Sequence, residues 1–342
     1  MAMHRFEGAH IGEGEFTPEV LDWIARENWW NLWVPESFGG LGMSLPEGLE
    51  TLRSLARLDG SLGWTVTLCS GANYFIGNLE GDVAKGIFMG SKAPVCFGGS
   101  GGVFGTADRE GDTYVVSGTW KYATGAPYLT HFTLNARVRE NGTDVIREDG
   151  TPLVRSFVLG RKDVEIIRDW NTMGLRATAT HSFAVRAKRV HGRYSFSYDE
   201  LYRSDPIFKI PFGVFADLTL WVNYIGMAEH FWEEARKVAG RNDFVDRLQR
   251  AVSDADGECS GHGERIWHLV SKAEGIPEAY AREIHQNATD SVGLLAEAVV
   301  KGYPMLGIRA ATMGHPLNRV FRDFFTATQH HIFSPLGRRG HR

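Results

Sequence analysis

Residues 105–138 read GTADREGDTYVVSGTWKYATGAPYLTHFTLNARV. Apolar and polar positions alternate in short runs here, Thr113 to Ser117 and His131 to Arg137 among them, and a period of two is the mark of strands with one buried face. GDTY at 111 and ENGTD at 140 supply hairpin-type turns. The alternation recurs at Val154 to Leu159 and at Ser182 to Val185. The stretch 93–198 is therefore expected to form an antiparallel sheet or small barrel.

On both sides of this block the period becomes helical. Upstream, Thr17 followed by Pro18 and Glu19 reads as a helix start running through Glu27. Leu45 to Leu58 reads as a second helix, and DGSLGWTVTLCSGANYFIG, residues 59–77, as an apolar buried one. Downstream, Ala216 to Val238 is apolar nearly all round and belongs inside a bundle. Ser291 to Lys301 is helical too, whereas Asn242 to Gly263 is polar and reads as a mobile connection. The expected fold class is α+β in three parts: an N-terminal helical domain over 1–92, a central antiparallel β domain over 93–198 and a C-terminal helical bundle over 199–342.

Composition narrows the functional classes. The 342 residues are 43% hydrophobic and 23% charged, as in ordinary globular proteins. A formal net charge of −4 and no basic run argue against nucleic acid or a membrane surface as partner. No apolar run reaches the roughly 18 residues of a membrane span, and the first residues lack a leader-like apolar core. Three cysteines, Cys69, Cys96 and Cys259, have neither metal-site nor disulfide spacing, which points to a reducing cytoplasm and to no metal. Ten tryptophans and an aromatic share of 12% suit either a flat aromatic ligand or a large aromatic core.

Near the C-terminus, HPLNRVFRDFFTATQHH spans His315 to His331. At about 100° per residue, Arg319, Asp323, Thr326 and His330 share one narrow arc, with phenylalanines opposite. An amphipathic helix is expected from just after Pro316 to before Pro335, its polar face either solvated or chemical. Adjacent histidines project about 100° apart and cannot share one metal; if one of them does chemistry, His330, on the polar arc, is the better candidate. The cluster GGSGG at 98–102 lacks the lysine and the following helix of a phosphate loop, leaving close backbone approach to a planar ligand or a flexible turn.

WVPESFGGLGMS, LARLDGSLGW, the 105–138 block and WNTMGLRATATHSFAVRAKRV together resemble the successive signatures of the acyl-CoA dehydrogenase superfamily. The resemblance covers about residues 17–190 and resumes at the final helix. It implies a flavin, FAD or FMN, between helical and β domains, and a homotetramer. By position, Tyr122 and Thr124 match the residues that stack beside and hydrogen-bond the isoalloxazine ring. Cys96, Phe97, Gly98 and Gly99 match the first flavin-contacting strand, and Arg176 and Thr178 fall in a Trp-x-x-x-Gly-Leu-Arg-x-Thr pattern in which Ala177, Ala179 and Thr180 depart from the usual residues.

Dehydrogenation of a thioester needs a carboxylate base in the final bundle. Asp323 is the only acid after Glu297, and two flanking arginines are expected to lower its pKa and spoil it as a base. Arg-Asp followed by a histidine seven residues after the aspartate, with SLGW and the TG of TWKYATG, resembles instead the flavin-dependent monooxygenase branch. That branch takes reduced flavin from a separate reductase and inserts oxygen into a small organic molecule. His330 and Thr124 would then be catalytic, with Ser70 and Asn73 as candidates for the substrate pocket. An acyl-CoA dehydrogenase, or an inactive scaffold on the same fold, are the alternatives.

Overall fold

The computed structural model describes residues 11, 14–91 and 93–334. The segment read for a leader, and Pro335, lie outside these residues. Among the described residues the first four α-helices are α1 (Pro18–Arg26), α2 (Leu45–Leu58), α3 (Gly60–Asn73) and α4 (Gly81–Phe88). Ser44 starts α2 with a reciprocal capping box, its side chain accepting from the Glu47 amide and the Glu47 carboxylate accepting from the Ser44 amide, so two otherwise orphaned donors are satisfied. Asp59 ends α2 and caps α3 by accepting from Leu62 N–H at 3.0 Å. Nearly the whole circumference of α3 is buried.

Eight strands follow: β1 (Phe97–Glu110), β2 (Thr113–Ala123), β3 (His131–Glu140), β4 (Thr143–Asp144), β5 (Val154–Gly160), β6 (Glu165–Ile167), β7 (His181–His191) and β8 (Ser195–Phe196). They form one sheet in the order β6-β7-β2-β1-β3-β5-β8, with β4 beside β3. The expected strands and hairpins are present, but the sheet is mixed: β1 and β3 run parallel, from Phe97 opposite His131 to Asp108 opposite Arg139. After β2 the chain turns at Gly125, φ 74°, through a short 3-10 segment. It then returns beside the start of β1, where Thr130 and His131 both donate to the Cys96 carbonyl. Trp120 packs in the sheet core, stacked on Phe183 at 5.4 Å and donating to the Asn135 carbonyl. Burial of such a ring contributes on the order of 3 kcal/mol. A side chain at Gly105 or Gly118 would run into it.

The bundle comprises α5 (Phe212–Ala239), α6 (Asp243–Ser271), α7 (Glu278–Gly302) and α8 (Pro316–Ala327). Residues 242–263, expected to be a mobile connection, belong to α6. This is a 29-residue helix capped by Asn242, with Leu248, Val252, Ala255, Cys259 and Ile266 buried along one face. Among the described residues no helix is long and apolar enough to cross a membrane.

Candidate functional site

The three-residue run Thr178-Ala179-Thr180 and the end of β2 meet at a chain of hydroxyls. Thr178 Oγ1 donates to the Leu175 carbonyl at 2.7 Å. Thr178 and Thr180 Oγ1 are 2.7 Å apart, and Thr180 and Thr124 Oγ1 3.1 Å. Gly125 N–H donates to the Thr178 carbonyl at 2.7 Å, which locks the two segments together. Thr124 is only 6% exposed. Two residues before it, Tyr122 stands 67% exposed at φ 69°. A bulky residue in that left-handed region costs about 1–3 kcal/mol and marks functional geometry more often than packing.

The other flavin candidates are placed differently. Cys96, Phe97 and Gly98 are buried at the start of β1. GGSGG is neither a free turn nor a loop; it lies inside β1, across a shift of register against β3. A Cβ on Gly99 would collide with the Thr133 carbonyl, and one on Gly98 with Leu129, so these two glycines permit close packing within the protein. Arg176 is exposed beside the fully buried Thr178. Ser70 and Asn73 are both fully buried. Ser70 donates to the Thr67 carbonyl. Asn73 Nδ2 lies within 2.9 Å of the Trp30 and Val95 carbonyls and of Asn31 Oδ1, and Asn73 Oδ1 accepts from Phe97 N–H. Asn73 is thus a tie between the N-terminal helices and β1.

The C-terminal helix departs most from expectation. Its polar arc faces inward: Asp323 is 5% exposed, and Arg319 Nη2 lies 3.8 Å from Asp59 Oδ2. Of the opposite side, Val320 and Phe324 are buried as well, and Phe325 is exposed. The helix stops at Ala327, because the Ala327 carbonyl accepts from the Tyr224 hydroxyl at 2.6 Å and from His330 N–H at 2.9 Å. His330 therefore sits in the turn beyond the helix, edge-on to Trp64 at 5.4 Å. Burial pushes its imidazole down to about 3, with His331 adding in the same direction. His330 is neutral at physiological pH. Trp64, which meets His330, and Thr65 and Cys69, which lie against Gly125, all belong to α3.

The expected lowering of Asp323 is reversed. Burial and the nearby Asp59 carboxylate push it up to about 7, outweighing the Leu175 amide, Arg319 and Arg322. Its Oδ1 accepts from Leu175 N–H at 2.6 Å, so it is poor as a substrate base through engagement and burial rather than through acidity. A raised carboxyl stabilises the fold below its unfolded pKa of about 3.9 and loses that contribution as pH rises through 7. His330, depressed, works in the opposite sense, removing stability as pH falls from about 6.5 toward 3. Replacing Asp323 by Asn should flatten the decline of stability between about pH 4 and 7; urea melts across that range check this, and an unchanged pH slope contradicts it.

Among the described residues no group of three or more His, Cys, Asp or Glu side chains could hold a metal. The order of helices, mixed sheet and helical bundle is a fold shared with solved monooxygenases. Residues 247–335 match the family model described as acyl-CoA dehydrogenase, C-terminal domain. The chain is 23% identical over 94% of its length to indole-3-acetate monooxygenase of Acinetobacter baumannii, covering 85% of that protein. The crystal structure of the HsaA monooxygenase from M. tuberculosis superposes with a TM-score of 0.86 at 20% identity, over 98% of this chain and 92% of that one. XiaF from Streptomyces sp., solved in complex with FADH2 and glycerol, gives 0.86 at 19% identity over 97% and 90%. The resemblance read from the sequence motifs holds, and it lies with proteins named as monooxygenases.

Proposed function

We propose that the protein is the oxygenase of a two-component system: a flavin-dependent monooxygenase that takes reduced FAD or FMN from a separate reductase and oxygenates a small organic substrate. What supports this is a fold shared with named monooxygenases that carries a buried, hydrogen-bonded hydroxyl at Thr124 and, on the C-terminal side, a neutral imidazole at His330. The donor set suits a flavin. Thr124 offers a fixed hydroxyl for a ring nitrogen, and the exposed, strained Tyr122 offers a flat surface beside it. Bound reduced flavin would supply the electrons that activate molecular oxygen.

The chain's own residues then do three things. Thr124 holds the ring edge in place. Trp64, itself packed edge to face on Tyr224, covers one side of His330. Neutral His330 accepts or returns a proton at a ring nitrogen. Asp323 does not favour thioester dehydrogenation, since its carboxylate faces the 173–175 turn.

We further place the protein in the cytoplasm as a homo-oligomer, a tetramer by analogy. Free buried cysteines support the first, and exposed Leu294, Met305, Ile308 and Met313 near the end of the bundle the second. The test is anaerobic titration with reduced FMN and FAD, then oxygenated buffer. A bound reduced flavin that reacts with oxygen through a long-lived absorbing species, in a particle heavier than one chain, is expected. Tight binding of oxidised FAD with bleaching by an acyl-CoA would transfer the assignment to dehydrogenase.

A further inference from the structure

A carbonyl oxygen can only accept, and a threonine hydroxyl has one proton to give. Thr178 spends its proton on the Leu175 carbonyl. In the 2.7 Å contact with Thr180 it must then be the acceptor, so Thr180 is the donor. Thr180 has no proton left for Thr124, and in the 3.1 Å contact Thr124 donates. The direction of the chain is thus fixed from its inner end: the proton of Thr124 is committed to Thr180, and Thr124 Oγ1 has only acceptor lone pairs left to offer.

The inner end is fixed by α8. Leu175 adopts the left-handed conformation, φ 50° and ψ 36°. Asp323 Oδ1 holds its amide at 2.6 Å, and Arg322 Nη1 holds the preceding Met173 carbonyl at 2.6 Å. Gly174 lies against the α8 backbone, where any Cβ would collide with the Arg322 carbonyl. Arg319 and Asp59 stand on the other side of the Asp323 carboxyl, and His230 on α5 feels both.

We propose that Asp323, Leu175, Thr178 and Thr180 form a directional hydroxyl relay that presents Thr124 to the cofactor as an acceptor, with Asp323 its positioning residue and the oxidation state of the flavin as what the relay selects. This rests on the flavin reading above. Reduced isoalloxazine carries hydrogen on N5 and donates there; the oxidised ring has a bare N5 that can only accept. An outward-facing acceptor complements the first and leaves the second unpaired, and an unpaired buried polar group is disfavoured.

Anaerobic and aerobic titrations give the dissociation constants of reduced and oxidised FMN and FAD. Wild type should favour the reduced form. Thr180→Val frees the Thr124 proton to point outward, and the oxidised-to-reduced ratio of dissociation constants should fall by about tenfold. Thr180→Ser and Asp323→Asn, which keep a hydroxyl and an acceptor oxygen in place, should preserve the ratio, whereas Asp323→Ala should lower it. A folded Thr180→Val protein with the wild-type ratio overturns the relay.

On flavin-free protein, deuterium exchange over residues 172–180 reads the positioning role separately. Exchange about tenfold faster in Asp323→Ala than in Asp323→Asn supports it, and equal exchange refutes it. Should wild type bind neither form of either flavin, the functional reading falls together with the redox preference, and the exchange result alone decides the role of Asp323. If Asp323→Ala does not fold, Asp323→Asn and Thr180→Val still decide.

Discussion

Replacing His330 by alanine is expected to lower coupled oxygenation by about 10²- to 10³-fold while leaving reduced-flavin binding within about threefold, the pattern of a lost proton-transfer group. The imidazole lies in a turn beyond α8 and touches Trp64 and His331 rather than the threonine chain, so its removal should not disturb Thr124. Activity should show no titration attributable to His330 above pH 5, because burial holds it neutral far below that. Product yield per reduced flavin, measured with the fraction of oxygen released as hydrogen peroxide, gives the answer. A variant with unchanged product yield would remove His330 from the mechanism.

The second large effect is on stability. Gly174→Ala should destabilise the fold by more than about 3 kcal/mol, because the new methyl would meet backbone atoms, the Arg322 carbonyl and the Asp323 amide, which cannot rotate aside. The damage should be local first: the 173–175 turn must lift from α8, breaking the Leu175–Asp323 and Met173–Arg322 bonds. Chemical denaturation compared with wild type gives the magnitude. A loss below about 1 kcal/mol would show that the turn does not depend on this close approach.

How much of this was legible beforehand depended on whether the signal was local. The α2 helix could be bounded from Ser44, Pro46 and Glu47 alone, because capping is settled within four residues. The strands were legible from alternation, but the parallel pairing of β1 with β3 was not; alternation is the same for either direction, and only the turn at Gly125 decides it. Residues 242–263 misled through their polarity, although the buried set at Leu248, Val252, Ala255 and Cys259 keeps helical spacing.

At the site, the residue types were found and their surroundings were not. Thr124 and Thr178 could be named as cofactor contacts and Thr180 only as a departure from the usual residue, because its link between the two is made only in the fold. The wheel that put His330 beside Asp323 assumed a helix that continues, whereas a hydroxyl from Tyr224, 103 residues away, takes the last carbonyl. The charge state of Asp323 is hidden from the sequence for the same reason. Flanking arginines are visible in sequence, while burial against Asp59 is not.

The grip of Arg322 and Asp323 on the turn at 173–175 joins positions 148 residues apart. A ribosome delivers the threonines long before it delivers α8, so for much of synthesis the hydroxyl chain has no clamp at its inner end. The 173–180 segment therefore gains its clamp only after almost all of the described chain has been made. A chain that stops short of α8 would present a sheet with its threonines in place and nothing to hold them in order.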